Sequence, residues 1–228
     1  MKKLLIVVDY QKDFVDGALG FPAAKEIEDA LCEKISSYQA EGQDIICTLD
    51  THGEDYLETQ EGKNLPIPHC IKGSEGHQLY GKAAGLLASC SRFEKPAFGS
   101  MALAKWLEGK EYEEIELCGV VTDICVISNA VLCKAALPET QVTVDSACVA
   151  AITEEAQQAA FLVMKSHKNK RPDGRLFCHL EELRILKEFY KTHRKNHLIP
   201  YRCTAKEERG SGDEHLSLRR SAGNCGSH

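Results

Sequence analysis

The sequence predicts a three-layer α/β/α fold with a mainly parallel central sheet. Three observations support this prediction. Apolar runs of strand length recur along the first 150 residues, segments of helical periodicity separate them, and several of the runs end in polar side chains. Strands that are apolar throughout need cover on both faces, which helices between parallel strands provide. A chain of 228 residues is long enough for one such domain with a sizeable core.

The first elements are a strand, a helix and a second strand. Residues 4–9 (LLIVVD) form a continuous apolar run that ends at an acid. Residues 26–42 have helical periodicity, and the predicted helix stops at Gly42. Residues 44–52 (DIICTLDTH) resemble another buried strand, again followed by polar groups.

The same alternation continues through the second half of this region. The predicted order is helix, strand, helix, strand and helix, at residues 100–110, 114–121, 123–137, 141–148 and 153–166. Ser100 and Thr153 are suitable N-cap residues for the first and last of these helices, because their hydroxyl groups can accept a hydrogen bond from the first helical turn.

Polar and reactive side chains follow the ends of three predicted strands. Asp9 ends the first strand, Asp50 and His52 end the second, and Cys125 follows the strand at residues 114–121. In open parallel sheets, ligands bind beyond the carboxyl ends of the strands. We therefore expect these four side chains to share one pocket, and this convergence is stronger evidence than any single motif.

Cys125 lies where a predicted strand gives way to a helix. In the first turn of a helix, free backbone N–H groups and the helix dipole favour a thiolate, which is the nucleophilic form of cysteine. The same N–H groups can bind the oxyanion that forms when a carbonyl group is attacked. Position alone leaves open that Cys125 is a small core residue, because the chain contains ten other cysteines without evident chemistry.

Charge is divided unevenly along the chain. Of 28 Lys and Arg and 34 Asp and Glu residues, 14 and 8 fall in residues 166–228. That segment therefore carries a net charge of +6, and the preceding part carries −12, for a total of −6. An acidic body is a poor electrostatic match for nucleic acid or an anionic membrane, so we expect neither as a partner.

Targeting signals and cysteine spacing both favour a cytoplasmic protein. The apolar run near the start is too short for a signal peptide and ends at Asp9, and no run approaches the length of a membrane span. The eleven cysteines include no C-x-x-C pair. We therefore expect thiols that are mostly free in a reducing compartment.

Five short motifs occur along the first 166 residues. In chain order they are VVDYQKDF, TLDTH, LPIPHCIKGSEG, FEKPAFGS and GVVTDICV. Each is weak evidence alone, but the ordered set closely resembles the isochorismatase-like cysteine hydrolases, and especially their nicotinamidase branch. The resemblance implies the isochorismatase-like α/β fold and an enzyme that cleaves linear amide C–N bonds. Its substrate would be nicotinamide or a related small carboxamide, converted to the acid and ammonia.

The resemblance assigns a catalytic triad of Asp9, Lys95 and Cys125. Lys95 would stabilise the Cys125 thiolate by its charge, and Asp9 would act as general base and then as acid. Attack on a carboxamide would give a thioester and release ammonia, and water would then release the acid. The resemblance also implies a cis peptide between Val120 and Val121, which would aim the Val121 and Cys125 amides at the oxyanion.

A second group of residues has the composition of a metal site. Asp50 and His52 alternate along an extended segment, so both side chains can point to one side, and His69 follows a proline-stiffened loop. In nicotinamidases the matching residues bind a divalent ion, and Glu61 is the nearest candidate for a fourth ligand. These donors suit zinc, with iron or manganese as alternatives. Solvated loop residues are the competing interpretation.

The substrate pocket departs from the family pattern at one wall. Phe14 matches a family aromatic residue that packs on the substrate ring, although a core phenylalanine under the loop is an almost equal interpretation. Many nicotinamidases carry another aromatic residue shortly before the equivalent of His69, where this chain has Leu65 and Pro66. The identity of the carboxamide therefore stays open.

The chain changes character at Ser166. We expect residues 1–166 to form the hydrolase domain and residues 167–228 to form an atypical basic tail, partly helical and largely disordered. The tail holds six of the nine histidines, but their irregular spacing favours a solvated appendage over a metal site. Residues 174–180 (GRLFCHL) are either an altered edge strand or part of a sequence whose reading frame shifted near Ser166.

Two other functions stay open on the sequence. One keeps the fold and changes the reaction, as in isochorismatases and in carbamoyl or ureido amidohydrolases. The other is a non-catalytic binding domain that an altered C-terminus has inactivated. The candidate metal ligands Asp50, His52 and His69 argue against a different reaction on the same fold. The intact triad argues against a non-catalytic binding domain. The expected partner is a small-molecule amide, and relatives often form dimers or higher oligomers.

Overall fold

The computed structural model describes residues 2–166 of the chain. The strands of this part are β1 (Lys3–Val8), β2 (Asp44–Asp50), β3 (Ser91–Lys95), β4 (Glu114–Val120) and β5 (Gln141–Ala150). The α-helices are α1 (Lys12–Val15), α2 (Pro22–Glu26), α3 (Glu28–Ala40), α4 (Gln60–Asn64), α5 (Gly81–Leu86), α6 (Met101–Leu107), α7 (Ile127–Ala136) and α8 (Glu154–Ser166). A 3-10 helix at Tyr56–Glu58 and a π-helical segment at Thr122–Val126 also occur. The predictions for the tail, residues 167–228, lie outside the described residues.

The five strands form one parallel sheet in the order β3-β2-β1-β4-β5. At the end of β1, Val8 pairs with Thr48 of β2 and with Gly119 of β4. Gly119 has a φ of 107°, and a Cβ atom there would lie 2.1 Å from the backbone oxygen of Val8. Only glycine therefore lets β4 lie this close to β1. The sheet confirms the predicted α/β fold and places the carboxyl ends of the strands at one edge.

Helices cover both faces of the sheet and create two hydrophobic clusters. Side chains of β1 alternate between them, so Leu5 lies in one cluster and Ile6 in the other. The first cluster includes Leu31 of α3, and the second includes Leu103 of α6 and Phe161 of α8. Each fully buried side chain of this size contributes about 1.5–3 kcal/mol. The three-layer arrangement follows from burial on both sides of the strands.

The structure confirms the two predicted N-cap residues, whereas some helix boundaries differ from the predicted ones. The Ser100 hydroxyl accepts a hydrogen bond of 3.1 Å from the Leu103 N–H at the start of α6. The Thr153 hydroxyl accepts one of 3.2 Å from the Ala156 N–H at the start of α8. The helix predicted at residues 123–137 begins as the π-helical segment and becomes α-helical only at Ile127.

Sequence analysis did not predict β3 or the four short helices α1, α2, α4 and α5. Four of the five residues of β3 are exposed or half-buried, and Lys95 is its one buried residue. This strand lies at the edge of the described sheet, so it lacks the continuous apolar run that marks a central strand.

Residues 2–166 have neither membrane-spanning helices nor disulfide-paired cysteines. Within that range, no helix has the length and apolar character needed to cross a bilayer. The eight cysteines of the range are all free thiols.

Candidate active site

The carboxyl edge of the sheet brings the three predicted triad residues together. Asp9 follows β1, Lys95 ends β3, and Cys125 lies in the π-helical segment after β4. The Lys95 Nζ atom is 2.7 Å from Asp9 Oδ2 and 3.5 Å from Cys125 Sγ. At most 5% of the surface of any of the three residues is exposed. A carboxylate, an ammonium group and a thiol therefore meet in a buried cluster.

Asp9 presents one oxygen toward this cluster. Its φ of 47° lies in the left-handed region, which few residues other than glycine adopt. The Thr48 hydroxyl donates a 2.7 Å hydrogen bond to Oδ1, whereas Oδ2 faces Lys95 and receives no hydrogen bond of normal geometry from residues 2–166. Burial raises the pKa of Asp9 although the charge of Lys95 opposes this. The Oδ2 atom is therefore suited to accept a proton.

Lys95 carries a buried charge that several acidic groups stabilise. Besides Asp9, its Nζ atom contacts Asp50 Oδ1 at 3.0 Å. Burial alone would lower the pKa of Lys95, but interactions with Asp9, Cys125 and Asp50 hold it above its ordinary value. The ammonium form persists because its partners replace the lost hydration.

The pKa of Cys125 is raised, and the expectation of a lowered value was wrong. Burial raises the pKa well above its ordinary value, and the negative charge of Asp9 raises it further, whereas Lys95 lowers it. The argument from a helix N-terminus took no account of how completely the sulfur is buried. The resting group is consequently a thiol, so a base must remove its proton before or during any nucleophilic attack.

The backbone before Cys125 has an unusual course. The peptide bond between Val120 and Val121 is cis, which is the geometry that the resemblance implies. The Val121 carbonyl then accepts hydrogen bonds from the N–H groups of Ile124 and Val126, both at 3.1 Å. The assignment of the Val121 and Cys125 amides as oxyanion donors stays a prediction.

Asp50, His52 and His69 form a second cluster, here called the acid–histidine trio. One ligand atom from each residue lies within 4.8 Å of the others, and all three residues are buried. Asp50 Oδ2 is 2.9 Å from His52 Nε2 and 3.4 Å from His69 Nε2. Since the Ile67 carbonyl can only accept, His69 Nδ1 donates the 2.9 Å hydrogen bond between them. His69 Nε2 is therefore the ring nitrogen that faces Asp50 within the trio.

Electrostatics also fit a cation at the trio. Burial alone would raise the pKa of Asp50, but hydrogen bonds with His52 and His69 and the charge of Lys95 hold it below its ordinary value. An ionised carboxylate and two imidazole nitrogens are a donor set that divalent transition metals prefer. The trio thus fits a divalent metal ion on chemical and geometric grounds.

Glu61 and Phe14 lie at the border of the trio. Glu61 Oε1 is 4.0 Å from His69 Nε2, and its side chain is 25% exposed. The Phe14 ring lies 5.6 Å from the His69 ring. Phe14 also belongs to the hydrophobic cluster that contains Leu31 of α3. Their roles as fourth ligand and substrate contact stay predictions, and the packing agrees with a core role for Phe14.

Comparison with known proteins identifies the family. The family model for the isochorismatase domain matches residues 3–170. The chain belongs to the isochorismatase family of hydrolases. It is 35% identical over 144 residues to the uncharacterized isochorismatase family protein PncA of Bacillus subtilis, an alignment that covers 58% of this chain and 78% of that protein.

Solved structures of similar proteins share the fold of this isochorismatase family member. The crystal structure of nicotinamidase/pyrazinamidase PncA from Bacillus subtilis has a TM-score of 0.64 at 31% identity and covers 72% of this chain and 95% of its own. The crystal structure of the pyrazinamidase of Pyrococcus horikoshii in complex with zinc has a TM-score of 0.64 at 28% identity, with coverages of 73% and 96%.

Tyr56 is a site residue that sequence analysis of this family member missed. Its fully buried ring lies 4.8 Å from the His52 ring and 5.0 Å from the His69 ring. Its hydroxyl donates a 2.9 Å hydrogen bond to the Leu65 carbonyl. Tyr56 therefore gives the trio an aromatic neighbour, although Leu65 occupies the region where many nicotinamidases carry an aromatic residue. No motif signals this contact, because Tyr56 lies in a polar connecting segment.

Gln11 fixes the position of Asp50. Its Oε1 atom accepts a hydrogen bond of 2.8 Å from the Asp50 N–H, and its Nε2 atom donates to the carbonyls of Asp50 and His77, both at 2.9 Å. Gln11 is fully buried, so each of these bonds replaces lost hydration. Its place inside the motif VVDYQKDF is the signal that could have identified it.

Asn129 of α7 joins the Cys125 segment to the loop after β3. Its Nδ2 atom donates to the carbonyls of Cys125 and Phe98, at 2.8 and 3.1 Å, and its Oδ1 atom accepts from the Ser100 N–H at 3.0 Å. The residue is fully buried. It connects the segments that carry Lys95 and Cys125, and no sequence feature indicates this role.

Proposed function

We propose that this chain is an amidohydrolase that converts nicotinamide or a related small carboxamide to the carboxylic acid and ammonia. The observation that carries the proposal is the buried contact between Asp9, Lys95 and Cys125 beside the acid–histidine trio. The similar solved structures are of a nicotinamidase/pyrazinamidase and a pyrazinamidase, which supports an amide substrate.

The first half of the proposed reaction forms a thioester. Asp9 takes the thiol proton as Cys125 Sγ attacks the carboxamide carbon, and the raised pKa of Asp9 favours that transfer. Protonated Lys95 stabilises the negative charge that develops on sulfur, 3.5 Å from its Nζ atom. Asp9 then gives the proton to the leaving nitrogen, the C–N bond breaks, and ammonia departs.

The second half hydrolyses the thioester. Asp9 accepts a proton from water as the water oxygen bonds to the acyl carbon. The C–S bond then breaks, the sulfur recovers a proton from Asp9, and the carboxylic acid is released. Both halves use the same carboxylate first as base and then as acid, so a single buried group near the sulfur is sufficient.

The acid–histidine trio would hold a divalent ion, with zinc as the first candidate and Glu61 as a candidate fourth ligand. Such an ion, when bound, supplies Lewis acidity and a fixed point for orienting a substrate. Gln11 holds the Asp50 backbone through two hydrogen bonds, and Tyr56 packs against both imidazole rings. Gln11 donates a third hydrogen bond to the His77 carbonyl, which anchors the neighbouring loop.

Ammonia release from nicotinamide tests the proposal. We expect Cys125→Ala to lower the rate by about 10⁴-fold or more, because it removes the nucleophile. Cys118→Ala is the matched control, since Cys118 is also a fully buried thiol but lies in β4 and contacts only the Ile6 carbonyl at 3.7 Å among the hydrogen bonds of residues 2–166. It should alter mainly packing and stability.

One outcome would exclude the mechanism, and another would change the substrate. Equal rates for the parent protein and Cys125→Ala would exclude a Cys125 thioester. A clear rate with other small amides and none with nicotinamide would keep the amidohydrolase proposal and move the substrate to the amide that reacts. A panel of aromatic and aliphatic carboxamides, measured with the same ammonia assay, separates these results.

A further inference from the structure

A second pair of reactive groups lies away from the triad. Cys47 in β2 and Cys90, the residue before β3, have Sγ atoms 3.2 Å apart. A disulfide bond measures about 2.05 Å, so the sulfur atoms would have to approach by only about 1.2 Å to become bonded. The two thiols belong to the hydrophobic cluster on one face of the sheet, whereas Cys125 belongs to the cluster on the other face.

The two cysteines differ in access to solvent. Cys47 is fully buried in a central position of β2, where it pairs in register with Arg92. Cys90 is half-buried and immediately precedes β3, the edge strand of the described sheet. A small oxidant can therefore reach Cys90 directly, whereas Cys47 has no exposed surface.

We propose that Cys47 and Cys90 form a reversible, peroxide-oxidised dithiol in which Cys90 reacts first and Cys47 closes the disulfide. The assignment rests on the 3.2 Å sulfur contact and on the unequal burial of the two residues. It is independent of the proposed amidohydrolase activity.

Ionisation of the pair agrees with this order of reaction. The hydrogen bond with Cys47 lowers the pKa of Cys90 to about 7, in spite of burial, and the positive charge of Arg92 acts in the same direction. The same hydrogen bond, together with burial, raises the pKa of Cys47. At neutral pH the more accessible sulfur is therefore the one that ionises, and a thiolate is the form that peroxide oxidises.

The chemistry balances with hydrogen peroxide as the oxidant. The Cys90 thiolate attacks one peroxide oxygen, the O–O bond breaks, and the sulfur becomes a sulfenic acid as hydroxide takes up a proton to form water. The Cys47 sulfur then attacks the Cys90 sulfur, the S–O bond breaks, and the departing hydroxide leaves as a second water with the Cys47 proton. Two thiols lose two electrons and two hydrogens in all, and a thiol reductant reverses the bond.

Trypsin cleavage gives a direct assay on the full-length protein. Cleavage after Lys34, Lys63, Lys82 and Arg92 releases peptides 35–63 and 83–92, and each contains a single cysteine of the pair. The reduced protein is treated with hydrogen peroxide, the remaining thiols are alkylated, and the digest is analysed by mass spectrometry. We expect peptides 35–63 and 83–92 to appear as one linked species, lighter by two hydrogens than their sum, which dithiothreitol removes.

Variants separate the two roles. Cys47→Ser should leave Cys90 as a sulfenic acid that oxidises further to the sulfinic acid, and Cys90→Ser should leave Cys47 unmodified. Cys32→Ser is the matched control, because Cys32 is also half-buried but burial raises its pKa, and the linked species should form unchanged.

The proposal fails if the parent protein oxidises Cys90 without linking it to Cys47, or links either residue to a different cysteine. It also fails if Cys47 in Cys90→Ser is oxidised as fast as in the parent protein. Since the linked peptide is measured in the parent protein, poor folding of a variant does not prevent a decision.

Discussion

At the scale of single residues, burial decides the chemistry of Cys125. The sulfur has a cation 3.5 Å away, yet its pKa lies above the ordinary value because water is excluded and Asp9 is close. Lys95 and Asp9 stabilise each other across 2.7 Å while the thiol stays neutral. This division of charge makes Asp9 the base that starts the proposed reaction and leaves Lys95 to stabilise the sulfur only as its proton departs.

Metal content tests the role of His69 at the same scale. Protein purified without added metal should contain a stoichiometric divalent ion, and His69→Ala should lose most of it because one of the three donors is removed. His77→Ala is a matched control, since His77 is half-buried in a neighbouring segment and contacts Thr51 at 2.8 Å. Elemental analysis by mass spectrometry provides the measurement.

A lack of bound metal in the parent protein would contradict the proposed metal site. If the parent protein and His69→Ala contain equally little metal, while circular dichroism shows both to be folded, the acid–histidine trio is a hydrogen-bonded cluster. The assignment would then move toward relatives that work without metal.

At the scale of elements, the sequence predicted the central strands and missed the connections. The run from Leu4 to Val8 is recognisable because all five residues are fully buried apolar groups. The sequence does not predict β3 because exposed positions interrupt its apolar pattern, although a motif identifies its last residue, Lys95. Tyr56 and Asn129 could not be predicted, since their roles depend on tertiary contacts that no local sequence pattern indicates.

Asn129 offers a test of how strongly two of these elements are joined. Asn129→Ala removes three hydrogen bonds, two of them buried, and deprives the buried Ser100 N–H of its Asn129 partner. Each unpaired buried group costs about 1–3 kcal/mol, so the free energy of unfolding should fall by about 2–3 kcal/mol or more. Urea unfolding of the parent protein and of Asn129→Ala at the same pH measures this difference in the free energy of unfolding.

Ser100→Ala is the control for Asn129→Ala, because it removes only the N-cap hydrogen bond of α6. Loss of such a cap costs about 1 kcal/mol. A loss for Asn129→Ala that does not exceed the loss for Ser100→Ala would show that solvent or backbone shifts satisfy the freed groups, and that Asn129 does not fasten the Cys125 segment.

At the scale of the whole molecule, a partly buried ionic group attaches helix α3 to the sheet. Lys34 of α3 lies 3.1 Å from Glu116 of β4 and 2.7 Å from Asp145 of β5, and the Tyr38 hydroxyl donates a 2.7 Å hydrogen bond to Glu116. The layered architecture was predictable from periodicity, but this link was not. Charged residues within strands carry no pattern that reveals partners many residues away.

The link makes stability depend on pH in a defined direction. Burial alone would raise the pKa of Asp145, but hydrogen bonds with Lys34 and the Ala147 N–H hold it below its ordinary value. Asp145 therefore stabilises the fold above the pKa it has in the unfolded chain, about 4, and this contribution disappears as the pH falls through the lower folded value. Interactions with Asp145 and Glu116 raise the pKa of Lys34 in spite of its burial, so Lys34 does not titrate in this range.

Asp145→Asn should consequently destabilise the protein at neutral pH and have a progressively smaller effect in acid. Urea unfolding at about pH 7 and about pH 3 measures both differences. The difference at about pH 3 should be the smaller, because the unfolded parent chain then binds a proton at Asp145 and the carboxylate charge contributes less to stability. Glu33→Gln, on an exposed position of α3, should change the free energy of unfolding by less than about 0.5 kcal/mol at either pH. A loss for Asp145→Asn that is the same at both pH values would mean that hydrogen bonding or packing at this position, and not the charge of the carboxylate, holds α3 against the sheet.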